Sequence, residues 1–259
     1  MPPLRALVAD GHDVAVVVTA ADKRRGRGSA LVPSSVKAAA TELGLPVTSR
    51  IDDVLELTPS ADLGVVVAFG RLIKPHVLAE LPMINLHFSL LPRWRGAAPV
   101  ERAILAGDQR TGVCVMDVEE GLDTGGIHRC VDVPIGADTT ADELRAMLVE
   151  RGTDLLLDTL RDGVGEPTPQ EGESTYAAKI EPSELQIDWS RSPEEIHRLV
   201  RIGGAWTTHN GKRLKVWRSR LADDGSVELL EVQPEGKARM PVAQWANGAR
   251  WKPGHPLGT

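Results

Sequence analysis

The amino-acid sequence predicts an α/β protein of two domains, and three observations carry that reading. A β-branched run at residues 14–19, a second buried strand at 63–69 and a third strand candidate at 83–88 alternate with segments of helical character, the order of a parallel sheet covered on both faces. Residues 163–182 are rich in Gly, Pro, Glu, Ser and Thr, the composition of an interdomain linker. Beyond them come short strand candidates with turn signals, at 214–217 and 227–232, of the kind that build a small barrel or sandwich. The division is therefore 1–164 for the first domain, 165–185 for the linker and 186–259 for the second domain.

The first helix is read at residues 3–11, with Gly11 as its C-terminal cap. Strand 14–19 follows, then a helix at 33–43 stopped by Gly44. Strand 63–69 leads to a short helix, 75–81, closed by Pro82, which has no N–H to continue it. Strand 83–88 precedes a helix at 99–106. The pattern then changes: 112–118 and 127–133 alternate weakly around the Gly-rich turn 120–126, a hairpin signature. Leu144, Leu148, Leu155, Leu156 and Leu160 give residues 140–160 the apolar stripe of a long helix, with Thr139 or Thr140 as its N-cap. A further helix is read at 193–200.

The 259 residues are 42% hydrophobic and 25% charged, which excludes wholesale disorder. Two Phe and one Tyr beside six Trp make the core aliphatic. No apolar run approaches the ~20 residues of a membrane-spanning helix. Residues 1–5 hold no signal-type apolar segment, and a cytoplasmic location is expected. Cys114 and Cys130 are equidistant from the centre of the hairpin and could lie opposite each other, but two buried thiols in a reducing compartment are the expected reading. The net charge of −6 runs against nucleic-acid binding, but it is uneven. Residues 166–259 carry 13 basic and 13 acidic side chains, and the basic ones cluster. The sequence has no glycine-rich dinucleotide fingerprint, phosphate-binding loop or CxxC pair. His128, His197, His209 and His255 lack metal-ligand spacing, so no metal is expected.

Chemistry concentrates at residues 85–99, N-L-H-F-S-L-L-P-R-W-R-G-A-A-P. Residues i and i+2 of a strand share a face, so Asn85 and His87 point together at the carboxyl end of strand 83–88. That end is where open α/β sheets bind ligands. An amide N–H beside an imidazole suits a developing oxyanion; a hydrogen-bonded structural histidine is the bland alternative. Asp123 stands in the tight turn, where a carboxylate can favour a charged imidazole or accept a proton, directly or through water. Its bland alternative is a turn-forming Asx residue. Two basic clusters suit phosphate backbones or, equally, a solvated face. One holds Lys23, Arg24, Arg25 and Arg27; the other holds Lys212, Arg213, Lys215, Arg218 and Arg220, with Trp206 and Trp217 nearby.

The string at 85–99 and the E-G-L-D-T-G at 120–125 resemble the methionyl-tRNA formyltransferases of the folate-dependent formyltransferase family. The likeness extends through 26–28, 68–70, 187–190, 211–215 and 230–237, most of the chain. It implies a Rossmann-like formyltransferase domain that binds 10-formyltetrahydrofolate, then a smaller OB-like open β-barrel domain that helps hold initiator methionyl-tRNA. By matching motifs, Asn85, His87 and Asp123 take the catalytic positions. Ser89, Leu90, Leu91 and Pro92 match the folate-contact stretch, and Arg71, Leu72 and Ile73 the loop that lines the pterin pocket. Arg27 falls in a loop that enters the acceptor-stem region, and Lys212, Arg213 and Lys215 in the tRNA-binding stretch. The implied reaction is attack of the α-amino group on the formyl carbon. Asn85 and His87 hold the oxyanion, while Asp123 keeps His87 charged and carries away the proton. A monomer is expected.

Family members open with a strand and a G-T-P-E-F-like loop, and neither precedes the helix at 3–11. Such a strand would be central, and without it buried backbone groups lose partners. Residues omitted there, and near 83–84, 202–203 and 224–229, are expected. The shared triad leaves three rivals: a formyltransferase acting on a sugar amine or purine-precursor amine, a folate hydrolase, and a catalytically silent RNA-binding module.

Overall fold

The structure is a computed structural model that describes residues 2–24, 31–57, 61–252 and 257–258. The chain begins with α1 (Pro2–Ala9), β1 (Val17–Val18), β2 (Lys23–Arg24), β3 (Leu31–Val32), α2 (Ser35–Glu42) and β4 (Val47–Thr48). It continues through β5 (Gly64–Val67), α3 (Pro75–Leu78), β6 (Met83–His87), β7 (Arg95–Gly96) and α4 (Pro99–Ala106). Next come β8 (Arg110–Asp117), β9 (Ile127–Pro134), α5 (Ala141–Arg161), β10 (Tyr176–Ala177) and α6 (Pro193–Arg201). It ends with β11 (Trp206–His209), β12 (Lys212–Leu221), β13 (Val227–Pro234), β14 (Met240–Pro241) and α7 (Val242–Ala249). Two compact units form. One takes Met1–Arg95, Gly112–Val133 and Met147–Thr175; the other takes Gly96–Thr111, Pro134–Ala146 and Tyr176–Thr259.

In the first unit β5 and β6 are parallel, with Asn85 opposite Val66. β8 runs antiparallel to β6, with Asn85 opposite Met116 and His87 opposite Cys114, and β9 completes the order β5-β6-β8-β9. β1 and β4 form a separate parallel pair. The expected parallel sheet is thus corrected to a mixed one, in which the strands of the expected hairpin, 112–118 and 127–133, stand beside the parallel β5–β6 pair. The chain reverses between β6 and β8 over residues 88–109, which include α4, and β9 then returns beside β8 through the turn 118–126. Val54, Ile73, Val77, Leu81 and Met83 form one apolar cluster of this unit. Each such side chain, fully buried, is worth roughly 1.5–3 kcal/mol. α2 starts where Ser34 accepts the Lys37 N–H at 3.0 Å, which satisfies one of the helix's orphan donors.

Cys114 and Cys130 are joined by a disulfide, which corrects the expectation of two buried thiols. Cys114 is fully buried but Cys130 is exposed. Pairing of β8 with β9 brings their Cα atoms to 4.1 Å, near the ~4.5 Å of facing residues in an antiparallel ladder. Their equal distance from the centre of the hairpin gives that facing register, but not the oxidation.

The second unit holds a four-stranded antiparallel sheet, β11-β12-β13-β14. Leu214, Val216, Leu229 and Val232 point from it into a core with Ile196, Val200 and Trp245. α6 begins with a reciprocal Ser192–Glu195 capping box. Its buried His197 meets the Ser219 hydroxyl at 2.9 Å. Its buried Arg201 donates to the Gly136 and Thr139 carbonyls, both at 2.9 Å. Among the described residues no helix is long and apolar enough to cross a membrane, and no group of three His, Cys, Asp or Glu stands ready for a metal.

Candidate active site

β6 sets the first half of the site. It is buried at Met83, Ile84, Leu86 and His87, and Asn85 shares a face with His87 by strand alternation. The His87 ring is fixed at both nitrogens. Nε2–H donates to the Trp94 carbonyl at 2.8 Å, and Nδ1 lies 3.5 Å from Asp123 Oδ2. The imidazole is 6% exposed and the carboxylate 16%, so this contact is largely shielded from water.

The second half comes from the β8–β9 turn, and its reach is not trivial. Register puts Asp117 opposite Ile84, three residues back along β6 from His87. The turn must therefore fold back along the sheet by ~10 Å at ~3.3 Å per residue to deliver Asp123. Its glycines make this possible. A Cβ on Gly125 would sit 2.1 Å from the Asp117 carbonyl oxygen, and one on Gly121 would sit 2.3 Å from Thr124 Oγ1. Asp123 itself adopts φ +51°, the left-handed region that Asp tolerates better than most residues. At the neck of the turn His128 Nε2 meets Asp117 Oδ1 at 2.8 Å.

The stretch after β6 wraps the same site. Ser89 is fully buried and its hydroxyl donates to the Arg93 carbonyl at 2.6 Å, closing a tight turn. Leu91 is buried against Cys114 and Met116, and Leu91–Pro92 is a cis peptide. Leu90 fits because position 112 lacks a side chain: a Cβ on Gly112 would lie 2.5 Å from Leu90 Cδ2. Residues 71–73 divide. Ile73 is buried in the apolar cluster, Leu72 is 74% exposed, and Arg71 lies over the Phe69 ring at 4.4 Å while donating to the Ser49 carbonyl.

Several groups at this site carry no signal in the local sequence. Trp94 contributes its backbone carbonyl. The linker-like stretch supplies Thr175, whose Oγ1 accepts the Trp94 N–H at 2.9 Å, and Gln170, which bonds to the Asp123 and Gly125 carbonyls.

Of the basic residues, Arg27 lies outside the described residues. Lys212, Arg213 and Lys215 all stand on β12, and Lys215 is opposite Trp206 on β11 and Gln233 on β13. The Arg213 guanidinium covers Trp206 at 4.0 Å, and the Trp217 ring has Arg239 at 3.3 Å and Lys215 at 5.5 Å. Such a cation–aromatic face suits bases and phosphates together. Arg239 is 19 residues beyond β12's last predicted cation, and only the sheet brings it there. Arg218 and Arg220 are instead engaged with Glu143 and Glu228.

Residues 4–160 match the family model of formyl transferase, and residues 179–226 match that of the formyl transferase C-terminal domain. A methionyl-tRNA formyltransferase of Symbiobacterium thermophilum is 43% identical, over 95% of this chain and 88% of its own. One of Jannaschia sp. (strain CCS1) is 40% identical, over 98% and 95%. The solved structure of WlaRD, a sugar 3N-formyl transferase, superposes with a TM-score of 0.68 over 92% of this chain and 94% of its own; at 19% identity this is a likeness of fold alone. The chain belongs to the formyl transferase family.

Proposed function

We propose that this formyltransferase moves the formyl group of 10-formyltetrahydrofolate to the α-amino group of initiator methionyl-tRNA. The observation that carries the chemistry is the His87–Asp123 contact at 3.5 Å, made across 36 residues of sequence by a turn folded back over the sheet. Free α-amino groups have a pKa of about 7.7–8.0, so a useful fraction is neutral near pH 7 and can attack. Nε2–H is committed to the Trp94 carbonyl. Nδ1 faces Asp123 at 3.5 Å, so the ring would act as an imidazolium whose Nδ1–H is shared between that carboxylate and the developing oxyanion, with the Asn85 amide beside it. Asp123 orients that nitrogen, takes the proton released by the attacking amine, directly or through water, and returns it to N10 of the folate as the oxyanion collapses and the formyl C–N10 bond breaks, releasing tetrahydrofolate.

In the same reading, residues 1–164 form a Rossmann-like catalytic domain, 165–185 a connecting stretch and 186–259 an OB-like tRNA-binding domain. The apolar Leu90 and Leu91, with Ser89 and Pro92, would hold the folate co-substrate. Arg71, Leu72 and Ile73 would line its pterin ring. Arg27, Lys212, Arg213 and Lys215 would contact tRNA phosphates. The enzyme acts as a cytoplasmic monomer. The identity of the relatives over nearly the whole chain favours methionyl-tRNA over small amines. Competition tests this: with 10-formyltetrahydrofolate, methionyl-tRNA and a dTDP-linked amino sugar in one reaction, formyl should appear on the tRNA. Formyl on the sugar alone would replace the reading with a sugar-amine formyltransferase.

A further inference from the structure

We infer that Gln170 is a positioning residue that locks the Asp123 turn in register with His87; the inference rests on the proposed formyl transfer for its kinetic meaning. The Gln170 amide stands at a crossroads. Its Nε2 donates to the Asp123 carbonyl at 2.9 Å and to the Gly125 carbonyl at 2.8 Å. Its Oε1 accepts from Arg95 Nε at 3.0 Å and from a terminal guanidinium nitrogen at 2.7 Å. Arg95 directly follows Trp94, whose carbonyl fixes the other nitrogen of His87. One neutral side chain thus ties the backbone that holds the carboxylate to the backbone that holds the imidazole.

The chemistry of the partners dictates glutamine. Two carbonyls demand a donor and a guanidinium demands an acceptor, and a primary amide supplies both at one group. Glutamate keeps the Arg95 contact but turns a carboxylate oxygen toward two carbonyls, which repels them. Thr175 reinforces the arrangement from the same stretch by accepting the Trp94 N–H at 2.9 Å. The Asp123 turn needs such a fastening because it is folded back and has a left-handed residue at its tip.

The test compares Gln170→Glu and Gln170→Ala with the unaltered chain in two readouts. Backbone amide exchange of residues 118–126, followed in the unliganded protein by mass spectrometry, should quicken in both variants while the thermal unfolding midpoint stays within a few degrees. In formyl transfer, kcat should fall about 10- to 100-fold, as for an ångström-scale misplacement, with KM for folate and tRNA within about threefold. In an Asp123→Asn background the Gln170→Ala change should cost little more, since both act through the same carboxylate. Unchanged exchange at 118–126 overturns the inference even if the unaltered chain transfers no formyl group, a result that would instead remove the proposed reaction. Full, additive losses in the double variant overturn it as well.

Discussion

Gly125 gives the sharpest steric prediction. A methyl group there would stand 2.1 Å from the Asp117 carbonyl oxygen and 2.8 Å from its carbon, and both atoms are backbone. Neither can rotate away, so Gly125→Ala has to push the turn from the strand by at least about 1.3 Å, from 2.1 Å to an ordinary contact of about 3.4 Å. Asp123 is two residues away and moves with it. A displacement of that size at a reacting group costs on the order of 10²-fold in rate, or about 2.7 kcal/mol of barrier. Overpacking separately costs about 1–3 kcal/mol of stability, which leaves the protein folded at 25 °C if its stability is ordinary. Single-turnover formyl transfer and thermal unfolding should be measured together on Gly125→Ala and on a control, Gly248→Ala. A Cβ at Gly248 meets nothing within 4 Å, so the control should keep its rate. A Gly125→Ala rate within about twofold of the unaltered chain would refute the claim that this turn sets the geometry of Asp123.

Three further outcomes are expected. Neutralising Lys212, Arg213 and Lys215 to Gln should flatten the dependence of log tRNA affinity on log salt by about 2–3, at ~0.9 per phosphate contact, and leave folate binding alone; an unchanged slope would return the three to a solvated face. Burial holds the His197 imidazole below its ordinary range, against the opposing pull of the Ala137 carbonyl and Asp138. The unfolded chain then binds that proton more readily, so the second unit keeps this stability above about pH 6.5 and loses it as pH falls through the lower folded value. His197→Gln should flatten the fall in unfolding midpoint, and equal pH dependence in both proteins would contradict the assignment. Finally, alkylation of denatured protein should label no cysteine before reduction and two after it; two labels without reductant would show that the bridge does not form.

The fold was legible where local chemistry marks an element's ends. Pro99 at the first helical position and Gly107 at φ +79° bound α4, and the sequence predicts it at 99–106, where it lies. Thr140 and Glu143 exchange hydrogen bonds at the start of α5, in keeping with one of the two expected caps. Strands depend on partners instead. Residues 14–19 look like strand throughout, yet only Val17–Val18 pair, because β4 offers only Val47–Thr48. At the candidate site, the shared face of Asn85 and His87 was legible because strand alternation is local, and the turn position of Asp123 because glycines bracket it. Gln170 was not. Its surroundings have a linker's composition, and nothing local records that its amide reaches carbonyls 45 and 47 residues away. The stacking of Arg239 on Trp217 escaped for the same reason, whereas the facing of Cys114 and Cys130 could be read from their equal distance to the centre of the hairpin and only their oxidation could not.

The most direct measurement is the rate of a single formyl transfer from 10-formyltetrahydrofolate to methionyl-tRNA, with tRNA affinity followed in parallel, for the unaltered chain, His87→Ala and Asp123→Asn. A shared reaction centre predicts transfer by the first and losses of roughly 10²-fold or more in each variant, at near-normal affinity. Undiminished transfer by either variant would contradict it.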